Sequence, residues 1–275
     1  MSDIKLQVLP PHESVKRWVS RVLITTGSQE GKTQLPIGPS GFSYLTYSRH
    51  SISLHYSCRT LANKEQLYVA GQLKKEQPYF DFEGEIFQIG LELKPQTLYY
   101  LYGIEGEALV DNVMTFKELN DQSDHYVREI NECEDPLHVA GIMQRILAGA
   151  SPKNERIRYV DNAIKIIFEK GGCISLEELV DVSGVSERTF RRVFKKVIGL
   201  SPKQYCKIIQ FNTAFEAIQT NDEKALFDLA LTCGYYDQAH FINDFRTFLR
   251  QSPSQFIKSG HDFLKDYLGA VKQAG

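Results

Sequence analysis

Apolar and polar residues alternate along much of the first half of this 275-residue chain. In 50–58 and 85–93, apolar side chains recur at every second position, as at Ile52 and Leu54 or at Ile89 and Leu91. A period of two is typical of β-strands that bury one face. Shorter apolar runs with turn residues between them predict further strands at 19–26, 42–47 and 67–73. The first half should therefore form a small β-barrel or sandwich.

Helical patterns replace this alternation from residue 97 onward. The residues 97–102 predict a short helix, and 122–148 predict one or two more, divided near Pro136. The apolar stripe of 136–147 could pair with a second copy of the chain or pack on the barrel, and the pattern leaves both open. A short polar breaker at 149–155 marks the expected domain boundary.

One helix-turn-helix pattern occurs twice between residues 176 and 257, about fifty positions apart. In each copy a short apolar helix runs into a glycine, Gly184 or Gly234, which suits a tight turn. Ser186 or Asp237 follows and can cap the next helix. Residues 200–219 between the copies predict one long helix that holds them at a fixed separation. A single copy would be weak evidence, but two in register favour a protein that reads DNA.

The second helix of each copy has one apolar and one polar face. In the first copy Phe190 and Phe194 lie on the buried stripe, and in the second Phe241 and Phe245 do so. The polar face of the first is basic, with Arg188, Arg191, Arg192 and Lys195. The polar face of the second is richer in amides, with Ala239, Asn243, Arg246 and Arg250, and with Gln238 and Ile242 at its edges. Such helices fit the DNA major groove.

Residues 155–258 resemble the DNA-binding domain of the AraC/XylS family of bacterial transcription regulators. The resemblance rests on Phe-Arg-Arg-Val-Phe-Lys-Lys at 190–196, Gly-Leu-Ser-Pro at 199–202, Gly-Tyr at 234–235, Asp-Gln at 237–238 and Ser-Pro-Ser-Gln-Phe at 252–256. It implies base contacts in two successive major grooves. These would come from Arg188, Arg191 and Arg192 in one groove and from Gln238, Ala239, Ile242 and Asn243 in the next. It places Lys195, Lys196 and Arg246 near phosphates, and it implies RNA polymerase as a partner and activation as the usual mode.

The chain departs from the family pattern at three places. Val180 stands where a small alanine is common, and Gln210 stands where the long helix usually carries arginine. Asn243 and Asp244 occupy positions that are often basic. Fewer cations weaken phosphate binding, whereas asparagine can bond adenine through two hydrogen bonds. The first unit should therefore supply most of the affinity.

Charge is distributed unevenly between the two halves of the chain. The net charge is −2, but residues 1–150 carry 14 Lys and Arg against 19 Asp and Glu, whereas residues 151–275 carry 18 against 15. The basic excess is thus local, which favours salt-sensitive DNA binding. Five cysteines without paired spacing indicate reduced, mostly buried thiols of a cytoplasmic protein. We expect neither a secretory signal nor a membrane span.

The first half also resembles, more loosely, the cupin-like amino-terminal domain of some of these regulators. Metal-binding cupins use a closely spaced histidine pair, which is absent here, and His50 and His55 would point to opposite faces of a strand. We therefore expect no metal, no cofactor and no enzymatic activity. A metal-binding or catalytic cupin tethered to DNA is the alternative. Aromatic residues of this half could line an effector pocket or simply form core.

Together these patterns predict an α+β protein of two domains. Residues 1–150 would form a cupin-like barrel or sandwich with flanking helices that senses an effector or forms a homodimer. Residues 155–260 would form an all-α DNA-binding domain with units near 174–198 and 224–249, and 261–275 would be a helical or frayed tail. The predicted function is that of a sequence-specific transcription regulator, and the patterns leave its effector, operator and oligomeric state open.

Overall fold

The computed structural model describes residues 4–49, 52–56, 60–61, 66–74, 77–216, 228 and 230–259. The first part is an antiparallel sheet with strands β1 (Lys5–Leu9), β2 (Val19–Pro36), β3 (Ser43–Arg49), β4 (Ile52–His55), β5 (Thr60–Leu61), β6 (Leu67–Ala70), β7 (Tyr79–Leu93) and β8 (Val113–Thr115). Helices α1 (Thr97–Tyr102), α2 (Ser123–Asn131) and α3 (Pro136–Gly149) flank it. The second part consists of α4 (Arg158–Glu169), α5 (Leu176–Ser183), α6 (Glu187–Ile198), α7 (Pro202–Glu216), α8 (Gln238–Leu249) and α9 (Pro253–Ser259).

The sheet is built around its two long strands, β2 and β7. They pair from Val19 opposite Leu93 to Pro36 opposite Tyr79, with register shifts near Val19 and between Gln29 and Thr33. The main path runs β1-β2-β7-β3-β6-β8, and β4 pairs with β5 and β7. Within the described residues β1 and β8 are the two ends of this path, so the sheet is open. The predicted two-domain α+β class is confirmed, and its exact domain boundaries stay predictions.

Both faces of the sheet are buried in its central part. Ile89 and Leu91 of β7 are fully buried in the main core, as the alternation predicts. Glu92, which the alternation assigns to the polar face, is also fully buried and forms an ion pair with buried Arg21. The second face is therefore an interior surface, where a carboxylate needs a charged partner because burial removes its water.

Helix α3 packs on the sheet of its own chain. It begins at Pro136, where the sequence predicted a division, and the Asp135 side chain caps it by accepting a hydrogen bond from the Leu137 amide at 3.1 Å. The apolar stripe contacts β7 and β2 and is buried, whereas Leu137 remains half exposed. Of the two alternatives left open by the sequence, this one accounts for the stripe without a second copy.

The helical part and the sheet share one hydrophobic core. The Tyr205 hydroxyl of α7 donates to the Gly41 carbonyl at 3.0 Å, and Asn212 donates through Nδ2 to the Pro39 carbonyl at 3.0 Å. Both hydrogen bonds are buried. The core cluster runs without a break from the sheet through α4, α5 and α6 into the first half of α7. This contact fixes the first helix-turn-helix unit against the sheet.

Candidate nucleic-acid interface

The first helix-turn-helix unit consists of α5 and α6. Ser175 and Glu178 form a capping box at the start of α5, and the helix ends at Gly184, whose φ of 68° is left-handed. Ser186 then caps α6 by accepting a hydrogen bond from the Thr189 amide at 3.4 Å. These are the glycine and the N-cap that the sequence pattern singled out. The local signals alone therefore place the start of the first reading helix.

Helix α6 has the two faces that the helical wheel predicted. Phe190 and Phe194 are fully buried, while the three arginines of the N-terminal half, Arg188, Arg191 and Arg192, are exposed. Arg191 donates through Nε to Glu187 at 2.6 Å. In the part of the chain that the structure describes, no carboxylate forms an ion pair with Arg188 or Arg192. These two guanidinium groups are accessible to a partner.

The lysines at the end of α6 have a different environment from its arginines. Lys195 forms an ion pair with Glu107, and Lys196 Nζ lies 3.1 Å from Glu105 Oε1, both carboxylates coming from the segment that follows α1. The hydrogen bond to Glu105 raises the pKa of Lys196 above its ordinary value. The Lys196 ammonium also lies 5.9 Å from the centre of the Tyr99 ring. The sequence placed both lysines near phosphates, and its periodicity could not show these carboxylates.

The second reading helix is α8. The Asp237 side chain caps it by accepting a hydrogen bond from the His240 amide at 2.7 Å. The described residues of this unit begin at 228 and 230–232, so its predicted start at 224–227 lies outside them. Phe241, Phe245 and Leu249 are buried, and Ile242 is half-buried. The predicted reading positions Gln238, Ala239, Asn243 and Arg246 are exposed.

Asp244 does not belong to this exposed face. It is 2 % exposed and its Oδ1 lies 2.5 Å from Lys207 Nζ of α7. The family pattern suggested that a DNA-facing cation is missing at this position. In the structure Asp244 instead ties the reading helix to the connecting helix, because a buried carboxylate requires a charge partner.

Tyr236 is a surface aromatic that the sequence reasoning missed. Its side chain is 90 % exposed and lies immediately before the Asp237 cap. A signal for it exists in the repeat: the second copy has one residue more between its glycine and its N-cap than the segment from Gly184 to Ser186. The longer turn presents an aromatic ring beside the start of α8.

Helix α7 connects the two units and belongs to both cores. Tyr205 lies in the core shared with the sheet, whereas Phe211 and Phe215 lie in a second cluster with Phe241 and Phe245. The Phe211 ring centre is 5.6 Å from that of Phe245. The described helix ends at Glu216, so the predicted remainder to residue 219 lies outside the described residues. The connection through α7 is thus packed on both units.

Gln210 joins the units by a polar contact. Its Nε2 donates to the Cys233 carbonyl at 3.1 Å, and the Cys173 thiol donates to the same carbonyl at 2.8 Å. The family usually places arginine at this position of the long helix. Here the shorter, uncharged Gln210 side chain donates a hydrogen bond to the carbonyl of Cys233, the residue directly before the turn glycine Gly234.

A small apolar cavity lies on the second face of the sheet, the face that carries Glu92 and is opposite Ile89 and Leu91. Its volume is about 60 Å³. Polar groups reach it from Tyr68 and Gln88, whose Nε2 donates to Ser48 at 3.0 Å. Burial raises the pKa of Tyr68 to about 12, so its phenol is neutral at ordinary pH. Of the aromatic residues of the first half, those that line the cavity are Phe42, Tyr44, Tyr56, Tyr68 and Phe80.

The described residues contain no group of three or more His, Cys, Asp or Glu side chains placed to hold a metal ion. His55 stacks on Tyr79 with ring centres 4.7 Å apart, and its Nε2 is 3.7 Å from Asp81 Oδ2. His50, its counterpart in the sequence argument, lies outside the described residues. No helix among the described segments is both long and apolar enough to cross a bilayer.

The carboxy-terminal part of the chain is similar in sequence to known proteins. The family described as a helix-turn-helix domain matches residues 179–259. An uncharacterized HTH-type transcriptional regulator of Haemophilus influenzae is 31% identical over 84 residues, which are 30% of this chain and 28% of that protein. The HTH-type transcriptional activator RhaS of an Enterobacter species is 34% identical over 89 residues, 32% of this chain and 31% of the relative. The probable transcriptional regulator LumQ of Photobacterium leiognathi is 31% identical over 106 residues, 38% and 42% of the two chains.

These sequence matches span less than half the length of each relative. Solved structures of ToxT from Vibrio cholerae align with more of the chain. An apo form covers 86% of this chain and 97% of its own, with a TM-score of 0.48 at 9% identity. A form bound to unsaturated fatty acid covers 86% and 94%, with a TM-score of 0.49 at 10% identity. Together with the motifs at 190–196 and 252–256, the sequence matches identify the carboxy-terminal domain as a helix-turn-helix domain of the AraC/XylS family.

Proposed function

We propose that the whole protein is a sequence-specific DNA-binding transcription regulator whose helices α6 and α8 enter two successive major grooves. The observation that carries the proposal is the pair of capped, exposed reading helices, each packed through its apolar face on the same connecting helix α7. In this arrangement both polar faces are open to a partner. A major groove admits a helix of this kind, and tandem units read sites about one helical turn apart.

The exposed side chains divide into base-reading and phosphate-binding groups. Arg188, Arg191 and Arg192 are assigned to bases in one groove, with Arg191 exchanging its Glu187 partner for DNA. Gln238, Ala239, Ile242 and Asn243 are assigned to bases in the next. Arg246, Lys195 and Lys196 are assigned to phosphates. Arginine reads guanine and asparagine reads adenine through paired hydrogen bonds, so the two grooves should prefer different bases.

The regulator acts in the bacterial cytoplasm, as an activator that contacts RNA polymerase, and not as an enzyme. Relatives that carry the name transcriptional activator support this mode, although the similarity is confined to the DNA-binding part. The α3 stripe that could have formed a homodimer is covered by the sheet of its own chain. A homodimer would therefore have to use another surface.

The first test is selection of bound sequences from a random DNA pool with the full chain. Two preferred blocks about one helical turn apart support simultaneous reading by α6 and α8. The matched variants Arg188→Ala/Arg192→Ala and Gln238→Ala/Asn243→Ala should each abolish the preference in one block and leave the other. A single block, unaffected by the second variant, would show that only the first unit reads DNA.

The sheet domain is proposed to sense a small effector in its inner cavity. A volume of about 60 Å³ is far below the roughly 300 Å³ of ordinary ligand pockets, so the effector is very small or the cavity opens when it binds. A ligand that binds only the folded protein raises the unfolding temperature. Metabolites that raise the unfolding temperature of the wild-type chain should not raise that of the Gly90→Val variant. That residue lines the cavity, and a Cβ there meets its nearest atom at 3.7 Å, which leaves the added methyl groups to fill the space.

A further inference from the structure

A short acidic turn of the sheet domain, Glu105-Gly106-Glu107, lies against the last turn of reading helix α6. Its two carboxylates pair with neighbouring lysines, Glu107 with Lys195 and Glu105 with Lys196, the latter at 3.1 Å. All four side chains are between 41% and 56% exposed. The ion pairs are therefore at the surface, where solvent, salt or another anion can compete for the lysines.

The backbones of the acidic turn and the helix also touch. A Cβ atom on Gly106 would lie 2.2 Å from the Gly199 nitrogen, and one on Gly199 would lie 2.6 Å from the Gly106 carbonyl oxygen. Gly199 is the left-handed C-cap of α6, with φ 91°. Glycine on both sides thus permits a close approach that any side chain would prevent. The two carboxylates are held at this place by the backbone contact, and not by the flexible lysines alone.

The lysines that the acidic turn occupies are those assigned to DNA phosphates. A carboxylate and a phosphate are both anionic acceptors for an ammonium group, so a lysine that is paired with one is lost to the other. We propose that the acidic turn competes with the DNA backbone for Lys195 and Lys196, so that the sheet domain lowers DNA affinity until the turn is displaced. This inference rests on the proposed DNA-binding function.

The competition concerns affinity and not sequence preference. Arg188 and Arg192, which are assigned to bases, lie in the N-terminal half of α6 and are exposed, with no carboxylate paired to them in the described part of the chain. Displacing the turn therefore adds phosphate contacts without changing the base-reading face. Each added phosphate contact steepens the dependence of log affinity on log salt by ~0.9.

The test compares full-length variants on the DNA fragment selected by the wild-type chain. Glu105→Gln/Glu107→Gln removes the charge of the turn, and Gly106→Ala separates the two backbones without changing charge. Both should bind roughly fivefold more tightly at low salt, because part of the protein no longer has its lysines occupied. The base preference should be unchanged. Glu83→Gln/Glu132→Gln, which changes two exposed glutamates elsewhere in the same domain, is the charge-matched control and should bind like the wild type.

A second comparison separates competition from a general charge effect. In a Lys195→Met/Lys196→Met background, the glutamine substitutions in the turn should no longer change the DNA dissociation constant. Equal tightening with and without the lysines would overturn the proposal, as would equal affinities of the turn variant and its charge-matched control. If the wild-type chain selects no DNA at all, the proposed function fails instead. Thermal unfolding shows whether Gly106→Ala is folded, and the charge variants decide the matter if it is not.

Discussion

Single contacts decide which cations of the first reading helix are available. Arg188 and Arg192 are exposed, Arg191 is held by Glu187 one turn earlier, and Lys196 is held by a carboxylate from another domain. All are basic residues on one short helix, and a helical wheel treats them alike. Their differences arise because i to i+4 pairs are local, whereas contacts with the sheet domain depend on tertiary packing.

Arg192 provides the most direct test of base reading. Arg192→Ala should lower affinity for the selected DNA by about 1–3 kcal/mol and relax the preference at one base pair. Binding by gel shift or fluorescence anisotropy to a set of single-base variants measures both effects. Lys165→Ala, which removes an exposed cation of α4, should change neither. A loss that is the same for every DNA variant would make Arg192 a phosphate contact.

The sequence predicted mostly buried thiols, but of the four cysteines that the structure describes only Cys206 is buried, whereas Cys133 and Cys233 are half-buried and Cys173 is exposed. Burial raises the pKa of the Cys206 thiol to about 12, and partial burial also raises the pKa of Cys173, whose side chain nevertheless is exposed to reagent. Because the thiolate is the reactive form, a thiol reagent at pH 8 should label Cys173 in the native protein and Cys206 only after unfolding. Mass spectrometry of the labelled protein measures this order, and Cys173→Ala should remove the first label. Early labelling of Cys206 would contradict its burial.

At the scale of elements, the two turns that precede the reading helices use the same glycine in different surroundings. Gly184 has φ 68°, and a Cβ atom added there would meet no other atom within 4 Å. Gly234 has φ 83°, and a Cβ atom added there would lie 2.5 Å from the Cys173 sulfur. The conformational requirement is local and follows from the sequence. The steric one arises only because the second turn packs against the loop after α4.

This difference predicts unequal costs for the two alanine substitutions. Gly184→Ala should lower the free energy of unfolding by about 1–2 kcal/mol through backbone strain alone. Gly234→Ala should cost more, because the methyl group also overlaps Cys173. Urea denaturation of a double-mutant cycle with Cys173→Ala measures the overlap. The cysteine substitution should recover part of the loss at Gly234 and none at Gly184; equal costs for the two glycines would refute the packing argument.

At the scale of the whole molecule, the two helix-turn-helix units have unequal attachments. The first unit shares a continuous core with the sheet, whereas the second has a core of its own built on Phe211 and Phe215 of α7. A change in the sheet domain therefore reaches α6 directly and α8 only through α7. The unit with more cations is also the one that the sheet domain contacts.

The shared core predicts coupled unfolding. Tyr205→Phe removes one of the two hydrogen bonds that the buried Gly41 carbonyl accepts, the other coming from Gln72 Nε2 at 2.9 Å, and should cost about 0.5–1.5 kcal/mol. Although Tyr205 lies in the helical domain, the substitution should lower the unfolding midpoint reported by Trp18 fluorescence in the sheet domain. Tyr235→Phe, in the core of the second unit, is the matched control and should leave that midpoint unchanged. An unchanged Trp18 transition in both would show that the domains unfold independently.

The sequence by itself determined many of the elements and the surfaces that carry the proposed chemistry. Period-two and helical patterns place β3, β4, β6, parts of β2 and β7, and α3, and Gly184, Ser186 and Asp237 place both reading helices, because hydrogen bonding and side-chain periodicity act over a few residues. The patterns did not predict β1, β5, β8 or the second half of β2, which are strands through their pairing with neighbouring strands. The buried faces of α6 and α8 follow from the same periodicity. These features need no knowledge of what lies opposite them.

Only the tertiary structure decided what those surfaces meet. It buried Glu92 beside Arg21, covered the α3 stripe with the sheet, turned Asp244 towards Lys207 and set Glu105 against Lys196. Each of these contacts joins residues that are far apart along the chain. Sequence periodicity fixes the face on which a side chain lies, but the partner on that face is chosen by how the elements pack, and this determines whether a cation is paired within the protein or free for DNA.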